Sequence, residues 1–259
     1  MSKAMIRQAA NLLALVATIA INGLANALPL NGLTTGEISD RFDVFFVPAG
    51  YVFSIWGLIY LGLIAFAIYQ ALPSQRDNPR LERVGYWFVL SCAANIVWLF
   101  LWHYEIFVPT VLAMLALLFS LIAVYLRLDI GKNPVSSGER WFVRVPFGIY
   151  LGWITVATIA NITSTLDYLQ WSGWGINPEI WTIIMLAAGI AITAVMIYTR
   201  RDAAYSLVIV WAFAGIAVKH AAVQSVSLAA WIAAGLVLLL LAAGLFAPRQ
   251  APAEMKTQR

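Results

Sequence analysis

Tyr150, Trp153, Ala157 and Asn161 recur inside one apolar stretch, YLGWITVATIAN at 150–161. At about 100° per residue on an α-helix, the four share an arc of roughly 80°. Rings and an amide on one face contain no nucleophile–base pair. They suit the holding of a flat, mostly apolar guest, which stacks on the rings and is oriented by a few polar atoms. Two other stretches repeat the habit. VFSIWGLIY puts Phe53, Trp56 and Tyr60 on one face, and SCAANIVWLFLW spaces Ser91, Asn95, Trp98 and Trp102 at helical intervals. Near the N-terminus, Asn11, Thr18, Asn22 and Asn26 share another arc of about 80°.

A plainer reading competes for each residue alone. Amides and hydroxyls in membrane helices bond to neighbouring helices for about 0.6 kcal/mol each, and Trp and Tyr settle at headgroup depth. Depth argues against the belt for the set. Trp153 and Trp98 lie about eight and twelve residues into their apolar runs, or roughly 12 to 18 Å at 1.5 Å per residue.

These faces need long helices to carry them. The chain of 259 residues is 62% hydrophobic and 11% charged, an excess of apolar side chains that only an integral membrane protein can accommodate. Apolar runs of spanning length fall at 5–28, 50–72, 86–104, 107–127, 145–166, 180–199, 203–219 and 225–247, which predicts eight transmembrane helices joined by short connections. The fourth run, VLAMLALLFSLIAV, has almost no polar face and is expected to present itself broadly to lipid. No Asp, Glu or Arg lies deep in a run, which disfavours an ion-coupled pump. No P-loop and no nucleophile–base set is present, so no enzyme and no catalytic residue is expected. One cysteine, Cys92, and two separated histidines, His103 and His220, supply no metal site.

Fourteen of the 16 Lys and Arg residues fall on alternate connections, leaving Arg41 and Lys219 on the other side. That asymmetry places both termini in the cytoplasm of a cell (inner) membrane and explains the net charge of +4 without a nucleic-acid partner. Lys3, Arg7, an apolar core and Ala25-x-Ala27 also fit a cleaved signal peptide, although the run is long for one. The longest outer connection, PLNGLTTGEISDRFDVFFVPAG, reads as a short interfacial helix, a flap over the outer mouth or an ordinary wet loop. Lys219 sits at the outer end of the seventh run, where its amine can snorkel to the interface.

Taken together, the Tyr-x-x-Trp-x-x-x-Ala-x-x-x-Asn line of the fifth run, the Asn-x-x-Trp of the third and the Trp-x-x-x-Tyr of the second resemble the tryptophan-rich sensory protein/translocator (TspO/MBR) family over about residues 1–166. The resemblance implies a five-helix bundle with an aromatic pocket for porphyrins. It assigns ligand contact to Trp56, Tyr60, Asn95, Trp98, Tyr150, Trp153 and Ala157, and helix packing to Asn161. Residues 167–248 then add three helices and 249–259 a cytoplasmic tail. Several positions depart from the family's pattern. Ile149 stands where Pro usually precedes the Tyr, with Pro146 upstream. Val156 replaces a Phe and Leu99 a Ser. The Phe53–Trp56 spacing is one residue short, which turns the two by about 100° on a helix.

The expected function is therefore the binding of a hydrophobic aromatic, tetrapyrrole-like ligand in the membrane, for sensing or translocation. No cofactor is obligatory, porphyrin being a ligand. A transporter or channel for a small neutral solute and a scaffold that recruits a partner stay open. Small residues in AAGLVLLLLAAG allow a homodimer as well as packing within one chain.

Overall fold

The computed structural model describes residues 2–28 and 30–246, with no strand among them. Eight long helices lie in the predicted runs: α1 (Lys3–Ala27), α2 (Ile55–Ala71), α3 (Trp87–His103), α4 (Phe107–Arg127), α5 (Val145–Tyr168), α6 (Pro178–Arg200), α7 (Ala203–Lys219) and α8 (Gln224–Phe246). Six segments are long and apolar enough to cross a membrane, α2 being counted with the 3-10 turn Gly50–Ser54 before it, whereas α3 and α7 are apolar but shorter at 17 residues. The tail at 249–259, with Arg249, Lys256 and Arg259, lies outside the described residues.

The boundaries follow local chemistry. Asn177 accepts from the Glu179 N–H at the start of α6, with Pro178 in the first turn. That proline lacks an N–H the helix start could not have used. Only Arg201 and Asp202 separate α6 from α7, so the two helices turn sharply; Arg201 takes the left-handed conformation and Asp202 caps α7.

Helix α5 is the axis of the bundle, packed against α2, α4 and α7. Small residues let it approach its neighbours. A Cβ on Gly152 would lie 2.9 Å from the Tyr205 carbonyl of α7, and Gly62 of α2 faces Pro146. Pro146 is the proline that stands upstream of Tyr150. Around this axis α3 packs with α4, α7 with α8, and α8 with α6. Helix α1 joins through its amide line, Asn11 donating to Gln70 (3.0 Å) and Asn22 to Asn95 (2.8 Å). One continuous apolar core runs from Leu15 to Val237.

Helix α4 has two sides: Thr110, Met114, Leu117, Leu121, Val124 and Tyr125 are buried along one, between α3 and α5, while Val108, Leu112 and Phe119 are exposed on the other. Its few polar groups concealed the buried side, because close packing needs shape and not polarity.

The connections gather at two ends. Arg80 pairs with Glu139 and Arg83 with Asp129, while Arg200 reaches the Ile130 carbonyl. At the opposite end Lys219 pairs with Asp40, and Arg41 with Glu105. Among the described residues, Arg41 and Lys219 thus sit apart from the other basic side chains, as the alternation of connections requires.

Candidate ligand chamber

The connection between α1 and α2 folds as a flap. Thr34 and Glu37 close a capping box around a short helix, Thr35–Ser39, satisfying donors at its N-terminus. Phe46, Val47 and Val52 are buried. Several polar contacts fasten the flap to the bundle. Trp102 Nε1 donates to the Thr35 carbonyl (3.2 Å), Asn31 to the His103 carbonyl (3.1 Å), and the Ala49 N–H to the Gly215 carbonyl (3.2 Å). His103, fully buried, spans the Leu30 carbonyl and the Thr35 hydroxyl with its two ring nitrogens. With the ion pairs Lys219–Asp40 and Arg41–Glu105, both 2.5 Å, the flap is pinned at its rim. The Lys219 amine is therefore engaged by a flap carboxylate.

Beneath the flap are two adjoining hollows. The larger, about 400 Å³, lies among α1, α2, α3 and the flap, walled by Asn22, Phe53, Trp56, Tyr60 and Trp98. The smaller, about 40 Å³, lies deeper against α5, walled by Trp98, Trp102, Trp153, Val156, Ala157 and Asn161. Thr35, Phe53, Trp56 and Trp98 border both. A volume of 400 Å³ falls within the range of small-molecule sites, whereas 40 Å³ holds a water or two.

The rings form one connected set. Trp56 stacks on Tyr60 (5.5 Å) and meets Tyr150 (6.0 Å) and Trp153 (6.4 Å) edge-on, and Phe53 meets Trp153 at 5.6 Å. Phe53 lies in the 3-10 turn Gly50–Ser54 and Trp56 in the α-helix after it. A 3-10 turn brings residues i and i+3 into register, so both rings reach Trp153 despite the short spacing. Trp98 stacks on Trp102 (5.5 Å) and donates to Asn161 Oδ1 (3.4 Å), whose amide donates to Thr110 (2.8 Å).

Of the seven residues assigned to ligand contact, Trp56, Tyr60, Trp98, Trp153 and Ala157 wall a hollow. Asn95 and Tyr150 stand behind it: Asn95 accepts from Asn22 and donates to the Tyr150 hydroxyl (3.4 Å), against which Trp56 rests. Asn161 packs helices and also borders the inner hollow. The flap residues Thr35, Ser39, Val47 and Pro48, and Asn22 of α1, lie outside that set. The apolar return VFFVP after a polar loop was the available signal for Val47 and Pro48, and the amide line of α1 for Asn22; Thr35 and Ser39 had none.

One atom stands out. Trp153 Nε1 is buried without a hydrogen-bond partner, in a chain whose other deep polar groups are largely paired. Among the described residues, no three His, Cys, Asp or Glu side chains gather to hold a metal.

Long apolar helices packed around a ring-lined chamber define an integral membrane protein. A family model described as TSPO-like protein matches residues 8–243, and the chain belongs to that family. The match runs on through α6, α7 and most of α8, beyond residue 166 where the quoted motifs end. TSPO-like proteins are in general binding or transport proteins rather than enzymes. No curated protein and no solved structure matches the chain.

Proposed function

We propose that this protein binds a flat, hydrophobic aromatic ligand of the tetrapyrrole class beneath the flap, in a sensory or translocating role. In this reading all eight helices cross the cell membrane, α1 included, with both termini in the cytoplasm and the flap on the outer face. At 17 residues and 1.5 Å per residue, α3 and α7 reach roughly 25 Å, near the lower limit for a span. Trp56, Tyr60, Trp98, Trp153 and Ala157 are the contact residues. Asn95 and Tyr150 hold Trp56 in place.

The unpartnered Trp153 indole N–H is the observation that carries this reading. A buried donor without an acceptor is costly, and a ligand carbonyl, carboxylate or ring nitrogen in the inner hollow would satisfy it. Trp56 borders both hollows together with Thr35, Phe53 and Trp98, so a ligand in the larger one lies next to the inner one. Titration of the purified protein with protoporphyrin, followed by Trp fluorescence, is expected to quench. The double variant Trp153→Leu/Trp56→Leu is expected to lose saturable quenching; saturable quenching of the remaining tryptophans, unchanged in midpoint, would falsify the site.

A further inference from the structure

At the end of the bundle away from the flap, two connections distant in sequence bring arginines to one cavity of about 730 Å³. Arg140 and Arg144 come from the π-helical turn Arg140–Arg144 that leads into α5, Arg200 from the end of α6 and Arg201 from the link to α7. The wide turn sends Trp141 outward, where it is 62% exposed, and Val143 inward, where it is fully buried. Asp202 is the carboxylate of this wall, and it is already engaged. It accepts from the Tyr125 hydroxyl (2.8 Å) and from the Tyr205 N–H (3.0 Å). Arg200 donates to the Ile130 carbonyl (3.3 Å) and lies over the Tyr125 ring.

Arg144 differs from these. Its Nε and Nη2 are buried without a hydrogen-bond partner. Buried guanidinium nitrogens need acceptors, and the planar guanidinium fork matches the paired oxygens of a phosphate or carboxylate. The Glu139 and Asp129 carboxylates, whose field also reaches Arg144, are paired with Arg80 and Arg83. With Asp202 engaged as well, Arg144 and the exposed Arg140 keep the cavity positive. Its chemistry calls for an oxyanion.

A second feature shows what carries that oxyanion. Arg140, Val145, Ala203 and Ala204 also wall another hollow, of about 530 Å³, which continues along the outside of the bundle between α2, α5 and α7. It passes Leu58 and Leu207, each about half exposed, and reaches Trp211. From Ala203 to Trp211 the groove rises roughly 12 Å along the helix. Apart from Arg140 and Ser54, its walls are almost wholly apolar. A charged cavity that opens into an apolar, outward-facing groove has the shape of an amphiphile.

We propose that cavity and groove form one site for an anionic phospholipid. The phosphodiester meets Arg144 and Arg140, and an acyl chain lies along Leu58 and Leu207. This site is separate from the flap chamber and does not depend on that chamber's ligand.

The test is native mass spectrometry of the full chain in mild detergent with equimolar phosphatidylglycerol and phosphatidylcholine of matched chains. The wild type is expected to retain the anionic lipid about fivefold over the zwitterionic one, the scale set by one basic side chain at a membrane surface. Arg140→Gln, at an exposed position that spares the fold, is expected to bring the ratio near parity. Leu207→Trp, which fills the groove, is expected to lower retention of phosphatidylglycerol. Equal retention of both lipids by the wild type, or an unchanged preference in Arg140→Gln, overturns the proposal. Inorganic phosphate at millimolar concentration distinguishes a soluble anion: its displacement of phosphatidylglycerol overturns the lipid assignment, and failure to displace supports it.

Discussion

The flap chamber and the arginine cavity sit at opposite ends of one bundle and are built from opposite materials. Around the chamber the polar atoms are neutral amides, hydroxyls and indoles, and ion pairs are kept to the flap's rim, where Arg41 and Asp40 are more than half exposed. Around the cavity the polar atoms are mostly guanidinium groups. The two sites differ in what their walls leave unsatisfied: one indole N–H in the chamber, two guanidinium nitrogens in the cavity. A lone neutral donor among rings selects shape first and one hydrogen bond second. Unpaired guanidinium selects charge first. Helix α5 runs from one region to the other, carrying Arg144 before its first turn and Trp153 and Asn161 further along.

The sharpest way to break this comparison is to strain the seam that joins the two ends. Gly152→Leu would drive a side chain into the Tyr205 carbonyl and Val208, against which even a Cβ is tight. Such overpacking costs about 1–3 kcal/mol, so a clear fall in Tm in detergent is expected. Porphyrin quenching and lipid preference should weaken together. Loss of one with the other intact would mean that the ends are uncoupled.

A smaller effect is expected from freeing the flap. Exposed ion pairs contribute about 0–1 kcal/mol each, so the double variant Lys219→Met/Arg41→Met should lower stability only slightly. Stopped-flow quenching should show faster ligand entry and exit than in the wild type, while the preference for anionic lipid stays unchanged. An unaltered entry rate would show that the flap does not gate the chamber.

The smallest effect concerns His220, at the C-terminal end of α7. Its ring packs edge-on against Phe45 of the flap, and its Nε2 is buried without a partner. Burial chiefly, then the neighbouring Lys219 charge, holds its pKa below the usual 6.5, opposed by the carbonyls of Val47 and Phe45 and by Asp43. A folded pKa below the unfolded one means that protonation favours unfolding. The group's contribution is intact above about pH 6.5 and is lost as pH falls below that value. Stability followed by thermal unfolding should therefore decline less between pH 7 and pH 5 in His220→Gln than in the wild type.

Much of this arrangement was legible before any coordinates. The eight apolar runs match the helices to within about two residues, save that the second also takes in the 3-10 turn Gly50–Ser54 before α2, because a membrane helix must satisfy its backbone internally and its length follows bilayer thickness. The line of Tyr150, Trp153, Ala157 and Asn161 was visible because helical periodicity is a local property. Less legible was which member of a stripe faces a hollow and which faces another helix. Asn95 and Trp98 lie three residues apart on one face, yet Asn95 bonds to α1 and α5 while Trp98 walls the chamber. The flap's course was likewise left open among three readings, and its polar middle gave no sign that Thr35 and Ser39 turn inward.

By itself, the order of residues determined where the helices begin and end, the segregation of basic side chains to alternate connections, and the faces that carry rings and amides. All of these follow from spacing within a single segment. Only the tertiary structure decided that a loop would close over the rings, that Trp153 would be left without an acceptor, and that arginines some sixty residues apart, Arg140 and Arg200, would share one cavity. Those outcomes depend on how each helix is rotated and packed against several others at once, and that rotation is set by the fit of side chains from distant segments.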